Sequence, residues 1–318
     1  MLSLIVPVYR NEEGLTDLLA AVGNLAREEP NDFECVFVVD GSPDRCYEIL
    51  RERLPSQGFR AQLLLLSRNF GSFSAIRAGL LSARGDCFAV MAADLQEPHE
   101  LVATMSRLLH ADEADVVVGI RNSRSDPPLS RWFAQLYWQL YRRYVVPDMP
   151  RGGVDIFGCN RAFRDSLLQL QERHSSLVAQ VFWLGFRRRF VPYERRPRAH
   201  GKSAWSFRRK LDYMLDSVFA FTDLPIRLLL RTGFAVTVGA ALFACGLVLA
   251  RVTGHIDVPG YVMLMLGIVF FGALNLFALG VVGSYAWRAY ENGKERPLHV
   301  VLKQHEWHQG EHAHEQHR

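Results

Sequence analysis

The chain has no pair of cysteines in Cys-x-x-Cys spacing, and its five cysteines, Cys35, Cys46, Cys87, Cys159 and Cys245, are an odd number. That argues against a zinc or dithiol redox motif and against a disulfide framework. The cysteines read instead as small buried hydrophobes in a reducing compartment. Two phosphate-binding fingerprints are also missing, G-x-G-x-x-G and G-x-x-x-x-G-K-[ST], which argues against a dinucleotide dehydrogenase and a P-loop NTPase. There is no basic leader and no cleavage site at the front. Met1-Leu2-Ser3-Leu4-Ile5-Val6-Pro7 is a short strand, too short for a signal core, so the front of the chain is expected to stay in the cytoplasm. Charge of one sign does not dominate either: 37 Lys and Arg against 33 Asp and Glu give a net charge of +4. A balance this mild suits an anionic membrane surface or phosphate-bearing substrates, and is no nucleic-acid signature.

Charge is nearly absent from one region. Hydrophobic residues make up 49% of the chain and its mean hydropathy is +0.00, and the excess is concentrated between residues 228 and 286. Residues 228–250 are interrupted only by Arg231, and 258–287 carry no charge, Asn275 being the most polar. Each run is long enough to cross a hydrocarbon core of about 30 Å. A soluble helix of that length would show a polar face. Arg227 and Arg231 precede the pair, and Arg288, Lys294 and Arg296 follow it. The positive-inside bias puts both ends in the cytoplasm. Residues 131–146 are aromatic and basic (Trp132, Tyr137, Tyr141, Arg142) and fit either an amphipathic core helix or a helix at a membrane interface. A second such helix is expected over 205–221, and the polar, His-rich residues 304–318 read as a solvated tail.

Ahead of these runs the pattern is strand, polar cluster, helix, repeated. Strands are expected over 2–8, 33–39, 62–66, 88–93 and 116–119, with helices over 14–28, 45–54, 74–84 and 99–109 and a short element from 155 to 158. Alternation at this spacing indicates βαβ units and a parallel sheet. The run Phe88-Ala-Val-Met-Ala-Ala ends on Asp94-Leu95-Gln96-Glu97-Pro98, and Pro98 stops the strand. Asp40-Gly41-Ser42-Pro43-Asp44 likewise follows an apolar strand, and Pro7 to Glu13 a third. Polar groups at strand carboxyl ends lie where open α/β sheets bind ligands. Oxygen ligands there can hold a hard divalent cation against a phosphate. The same acids are equally suited to the first turn of a following helix. Arg121, Arg131, Arg198 and Lys202 are the cations available for a phosphate.

Ile5-Val6-Pro7-Val8-Tyr9-Arg10-Asn11-Glu12, Val39-Asp40-Gly41-Ser42-Pro43-Asp44, Ser67-Arg68-Asn69-Phe70-Gly71 and Asp94-Leu95-Gln96-Glu97-Pro98 occur in this order. Together with Arg198-Ala-His-Gly201-Lys202-Ser203, they resemble the motifs of inverting family-2 glycosyltransferases, within them the polyprenyl-phosphate group similar to dolichol-phosphate mannose synthase. The resemblance covers residues 1 to about 226, and the two apolar runs resemble the two-helix anchor of bacterial members. It implies an α/β glycosyltransferase-A fold (Rossmann-like, mostly parallel sheet) followed by an interfacial amphipathic helix and two transmembrane helices. The implied division is a cytoplasmic catalytic domain over 1–203, the amphipathic helix over 204–226, the hairpin over 227–289 and a cytoplasmic tail over 290–318. The implied location is the inner (plasma) membrane.

By position in those motifs, Pro7, Tyr9, Glu12, Asp40 and Asp94 would bind the nucleotide sugar, and Asp94 and Gln96 would ligate Mg²⁺ or Mn²⁺. Arg121 and Arg131 match basic positions near the acceptor phosphate. Arg198, Lys202 and Ser203 match a loop over the site, and Asp155 an acid near the sugar; Asp94, Asp155, Arg121 and Arg131 form the catalytic set. The donor would be a nucleotide-diphosphate sugar and the acceptor undecaprenyl or decaprenyl phosphate, with no nucleic acid involved and homo-oligomerisation left open. In two places the chain departs from the pattern: Val39 stands where the family usually has the first Asp of Asp-Asp-Gly-Ser, and Ala92 where it has the first Asp of Asp-Ala-Asp-Leu-Gln. One nucleotide contact and one metal contact are thereby lost. Two other readings follow: transfer to a sugar hydroxyl of a glycolipid or polysaccharide, with Asp155 as base, and an inactive membrane-anchored scaffold that binds nucleotide sugars.

Overall fold

A computed structural model of the chain describes residues 1–29, 33–121, 154–172, 175–196, 224–253 and 260–308, with a few single positions between them. In chain order the elements are β1 (Leu2–Val8), α1 (Leu15–Glu28), β2 (Phe33–Val39), α2 (Cys46–Arg53), β3 (Arg60–Leu66), α3 (Ser72–Ser82), β4 (Cys87–Val90), α4 (His99–His110), β5 (Val116–Arg121), β6 (Val154–Asn160), α5 (Arg161–Gln169), α6 (Leu177–Trp183), β7 (Arg188–Tyr193), α7 (Leu224–Val252), α8 (Tyr261–Gly293) and β8 (Val301–Trp307). The strands form one sheet in the order β7-β5-β6-β4-β1-β2-β3-β8. Strands β3, β2, β1 and β4 are mutually parallel, as are β5 and β7, while β6 and β8 run antiparallel to their neighbours.

The inner strands are apolar on both faces because both faces are covered. Leu2, Leu4, Val6 and Val8 of β1 pack with α1, α2 and α4, while Ile5 packs with α3 on the other side. Helix α3 lies close against that side at Gly79, where a Cβ would stand 2.5 Å from Ile5 Cγ2. The second layer also contains α5 and α6 through Phe163, Leu167, Leu177 and Phe182. Val39, where the family usually has an acid, is fully buried in the first layer.

Several boundaries differ from those the sequence suggests. Strand β4 ends at Val90 instead of Ala93. Met91 N–H still donates to Ile5 O at 3.0 Å, but the chain then turns, with Leu95 N–H on Ala92 O at 3.3 Å and Leu95 at φ 52. Met91 and Ala93 stay buried, so the apolar run outlasts the strand. The outer strand β7 and the helices α5 and α6 are additions to the sequence reading. Residues 301–307, expected largely as solvated tail, instead close the sheet as β8. Val300 O accepts from Ser67 N–H at 2.9 Å, and Tyr47 Oη meets His305 Nε2 at 2.9 Å. The apolar runs fall in α7 and α8. Among the described residues, one stretch, Phe270–Gly293 in α8, is long and apolar enough to cross a membrane by length and composition.

Candidate active site

The carboxyl ends of β1, β2, β3 and β4 lie side by side at one edge of the sheet, and the loops leaving them are stitched together. Asp40, only 2% exposed, ends β2 with its own N–H on Val8 O at 3.0 Å. Its carboxylate accepts Phe70 N–H at 2.7 Å and Gly71 N–H at 2.8 Å, which fixes the loop entering α3. Burial raises its pKa, against the lowering effect of those two backbone donors. Asp40 therefore spends its carboxylate on holding the loops together. Gly41 lies at φ 54, and a Cβ there would stand 2.2 Å from the Arg68 backbone, so only glycine permits the two loops to meet.

The first and second loops interlock through Ser42 and Asp44. Arg10 N–H donates to Ser42 Oγ at 2.8 Å, and Ser42 Oγ donates to Asp44 at 2.6 Å. Asp44 also accepts from Glu12 N–H at 3.3 Å and from Cys46 Sγ at 3.2 Å. Burial works against its ionisation, but the donors Ser42 and Cys46 and the Cys46 and Glu12 amides outweigh it and lower its pKa. Burial first, then the bond to Asp44, pushes the Cys46 thiol up to about 12, so it stays a thiol. Glu12 returns the link, accepting Arg45 N–H at 3.0 Å. Asn11 joins the third loop, its amide donating to Ala93 O at 2.9 Å, one residue before Asp94.

Asp94 sits half-buried in the turn after β4, with Gln96 N–H on its Oδ1 at 3.4 Å. Gln96 faces the basic segment that follows β7. Its carbonyl oxygen accepts from Arg195 Nη2, its amide donates to Arg196 O at 3.3 Å, and Arg196 N–H donates to Gln96 O at 2.9 Å. Among the described residues no three His, Cys, Asp or Glu side chains cluster as a metal site. The donor set at this turn is one carboxylate and one amide oxygen. It fits a hard cation that takes its other ligands from a diphosphate and water, with Asp94 as the charged ligand.

The other expected residues fall as follows. Pro7 lies within β1 opposite Val38, and Tyr9 follows that strand with the Arg10 guanidinium 5.5 Å from its ring centre. Arg121 is the last residue of β5, paired with Tyr193 of β7, and so reaches the same edge as Asp94. Asp155 is the second residue of β6, which runs antiparallel, and its backbone enters the sheet at that edge as well. Arg131, Arg198, Lys202 and Ser203 lie outside the described residues. The sequence alone assigns no site role to Asn11, Asp44 or Arg195. The Asn11 contact with Ala93 and the Asp44 contact with Glu12 need the register of β1 against β4 and β2, and the Arg195–Gln96 contact spans a separation of 99 residues.

The profile of Glycosyl transferase family 2 matches residues 3–171. An uncharacterized glycosyltransferase of Synechocystis is 31% identical over 94% of this chain and 94% of its own length. Undecaprenyl-phosphate 4-deoxy-4-formamido-L-arabinose transferase of Pseudomonas fluorescens is 29% identical over 95% of this chain and 89% of its own. The prophage-derived bactoprenol glucosyl transferase of Shigella flexneri is 28% identical over 96% and 98%. The chain belongs to glycosyl transferase family 2.

Proposed function

We propose that the protein is a membrane-anchored inverting glycosyltransferase that moves a sugar from a nucleotide-diphosphate sugar to a polyprenyl phosphate. The observation that carries this reading is the match to polyprenyl-phosphate sugar transferases over nearly the whole chain, the apolar helices included. The loops stitched together beside Asp94 at one sheet edge support it. Residues 1–203 form the catalytic domain, completed by β8, while the expected interfacial helix over 204–226 lies almost wholly outside the described residues, its last three belonging to α7. Helices α7 and α8 form a hairpin in the inner (plasma) membrane, with the catalytic domain and both termini in the cytoplasm.

The chemistry follows from the acceptor. A polyprenyl phosphate is anionic at neutral pH and needs no strong general base, unlike a sugar hydroxyl. Its oxygen forms a bond to the anomeric carbon on the face opposite the departing diphosphate, whose bond to that carbon breaks, and the configuration inverts. Pro7, Tyr9, Glu12 and Asp40 shape the nucleoside end, Asp40 through the loops it fixes. Asp94 would hold Mg²⁺ or Mn²⁺, which when bound would supply positive charge to stabilise the leaving diphosphate. Arg121 and Arg131, with the Arg198 to Ser203 loop, orient the lipid phosphate. Asp155 borders the sugar.

The test is incubation of the detergent-purified full chain with labelled UDP- and GDP-sugars and undecaprenyl phosphate. The expected product is a lipid that releases its sugar on mild acid treatment. A product formed only with a hydroxyl acceptor would replace this reading with transfer to a glycolipid or polysaccharide.

A further inference from the structure

Gln96 belongs to two structures at once. Its backbone N–H closes the Asp94 turn at 3.4 Å, while its side-chain oxygen is held by the Arg195 guanidinium. An oxygen that accepts from a guanidinium is poorly placed to serve a divalent cation as well, because the two positive charges would share one small ligand. We propose that Arg195 and a donor-bound cation compete for the carbonyl oxygen of Gln96, so that arrival of metal and nucleotide frees Arg195 for an anionic acceptor. The inference rests on Asp94 being the metal seat.

Three observations assign the exchange to this pair. The segment after β7 is fastened independently of the contested oxygen, by Arg196 N–H on the Gln96 backbone carbonyl at 2.9 Å. Release therefore moves a side chain and leaves the segment in place. Arg196 has its own acid, Glu100, at 3.6 Å, so Arg195 is the guanidinium that Gln96 controls. Arg195 follows the end of β7, where Tyr193 pairs with Arg121, so the freed charge stays at the edge that holds Arg121 and Asp94. A neutral amide suits the role: it holds either cation without binding one permanently, whereas a carboxylate would keep a strong ion pair with Arg195. The pair makes acceptor capture follow donor binding.

The test measures Mn²⁺ affinity of the full-length protein in detergent by electron paramagnetic resonance, with UDP and with GDP. Circular dichroism verifies that each variant is folded. Arg195→Ala is expected to tighten Mn²⁺ binding about two- to fivefold, the range of a solvent-exposed charged contact. Gln96→Ala is expected to weaken it, and adding Arg195→Ala to Gln96→Ala should change nothing further. Unchanged or weaker Mn²⁺ binding in Arg195→Ala overturns the competition, and so does tightening that persists without Gln96, since it would reflect net charge alone. Asp94→Asn separates the two readings. If it leaves Mn²⁺ affinity intact, the metal seat itself is wrong; if it lowers the affinity while Arg195→Ala has no effect, only the competition fails.

Discussion

Asp40 directly follows β2 and Asp94 lies in the turn after β4, at one edge of the sheet, yet their surroundings assign them different work. Asp94 is half-buried and shares its turn with Gln96. Asp94→Ala should lower turnover by at least about a hundredfold, as expected when a charge-stabilising group is lost, with an unchanged thermal midpoint. Wild-type rates would remove it from the site. Asp40 is a buried acceptor for two backbone amides. Its replacement by Ala strands both donors and should cost about 2–4 kcal/mol of stability, read from denaturant midpoints. A cost near zero would show that the loops do not depend on it. Asp44 makes a third, pH-dependent contribution. Its pKa is lowered on folding, so its stabilisation is complete above the free value of 3.8 and disappears as pH falls through the folded value. Asp40, shifted upward, acts in the opposite sense and in a higher window, weakening the fold as pH rises from the free value of 3.8 through its raised folded value. Asp44→Asn should therefore flatten the acid limb of a melting-temperature profile; a limb as steep as wild type would refute the assignment. The strand-end acids were legible in the sequence because each follows an apolar run. Which carboxylate would be consumed by backbone amides was not, since that depends on how closely the loops after β2 and β3 approach.

Among the elements, β1 and β2 were readable to the residue, because apolar strands bounded by polar turns leave little ambiguity. Strand β4 was overextended because Met91 and Ala93 are packed as tightly as strand residues although the chain has already turned. The edge strands β7 and β8 were harder to see. Each has an exposed face and edge, so Arg188-Arg-Phe-Val-Pro-Tyr and Val301-Leu-Lys-Gln-His-Glu-Trp carry no continuous apolar signal. Helix α3 offers a direct test of element packing. Gly79→Ala would push a methyl group to within 2.5 Å of Ile5 Cγ2 and 3.2 Å of Val38 Cγ2. Overpacking of this kind costs about 1–3 kcal/mol, where an exposed helix position would gain stability from the same change. A stabilised variant would mean that α3 does not sit against β1 and β2 as described.

At the scale of the whole chain, a catalytic sheet and two apolar helices share one polypeptide, and the proposed hairpin predicts a topology. A cysteine at Thr253, beyond α7, should react with an impermeant thiol reagent added outside spheroplasts, in a background lacking the native cysteines. A cysteine at His308, after β8, should react only once the membrane is opened. Equal reactivity at both positions would exclude a hairpin with both ends inside.

Strand β8 has a further consequence for the order of events during synthesis. The ribosome releases β1 through β7 first, and a β3 edge waiting without its partner is a site for unwanted strand pairing. The segment that covers this edge, β8, follows α7 and α8 in the chain and so emerges only after both of them. If α7 and α8 form the proposed hairpin, β8 is thus set in place on a chain that is already anchored, and the sheet is closed only after the anchor is made.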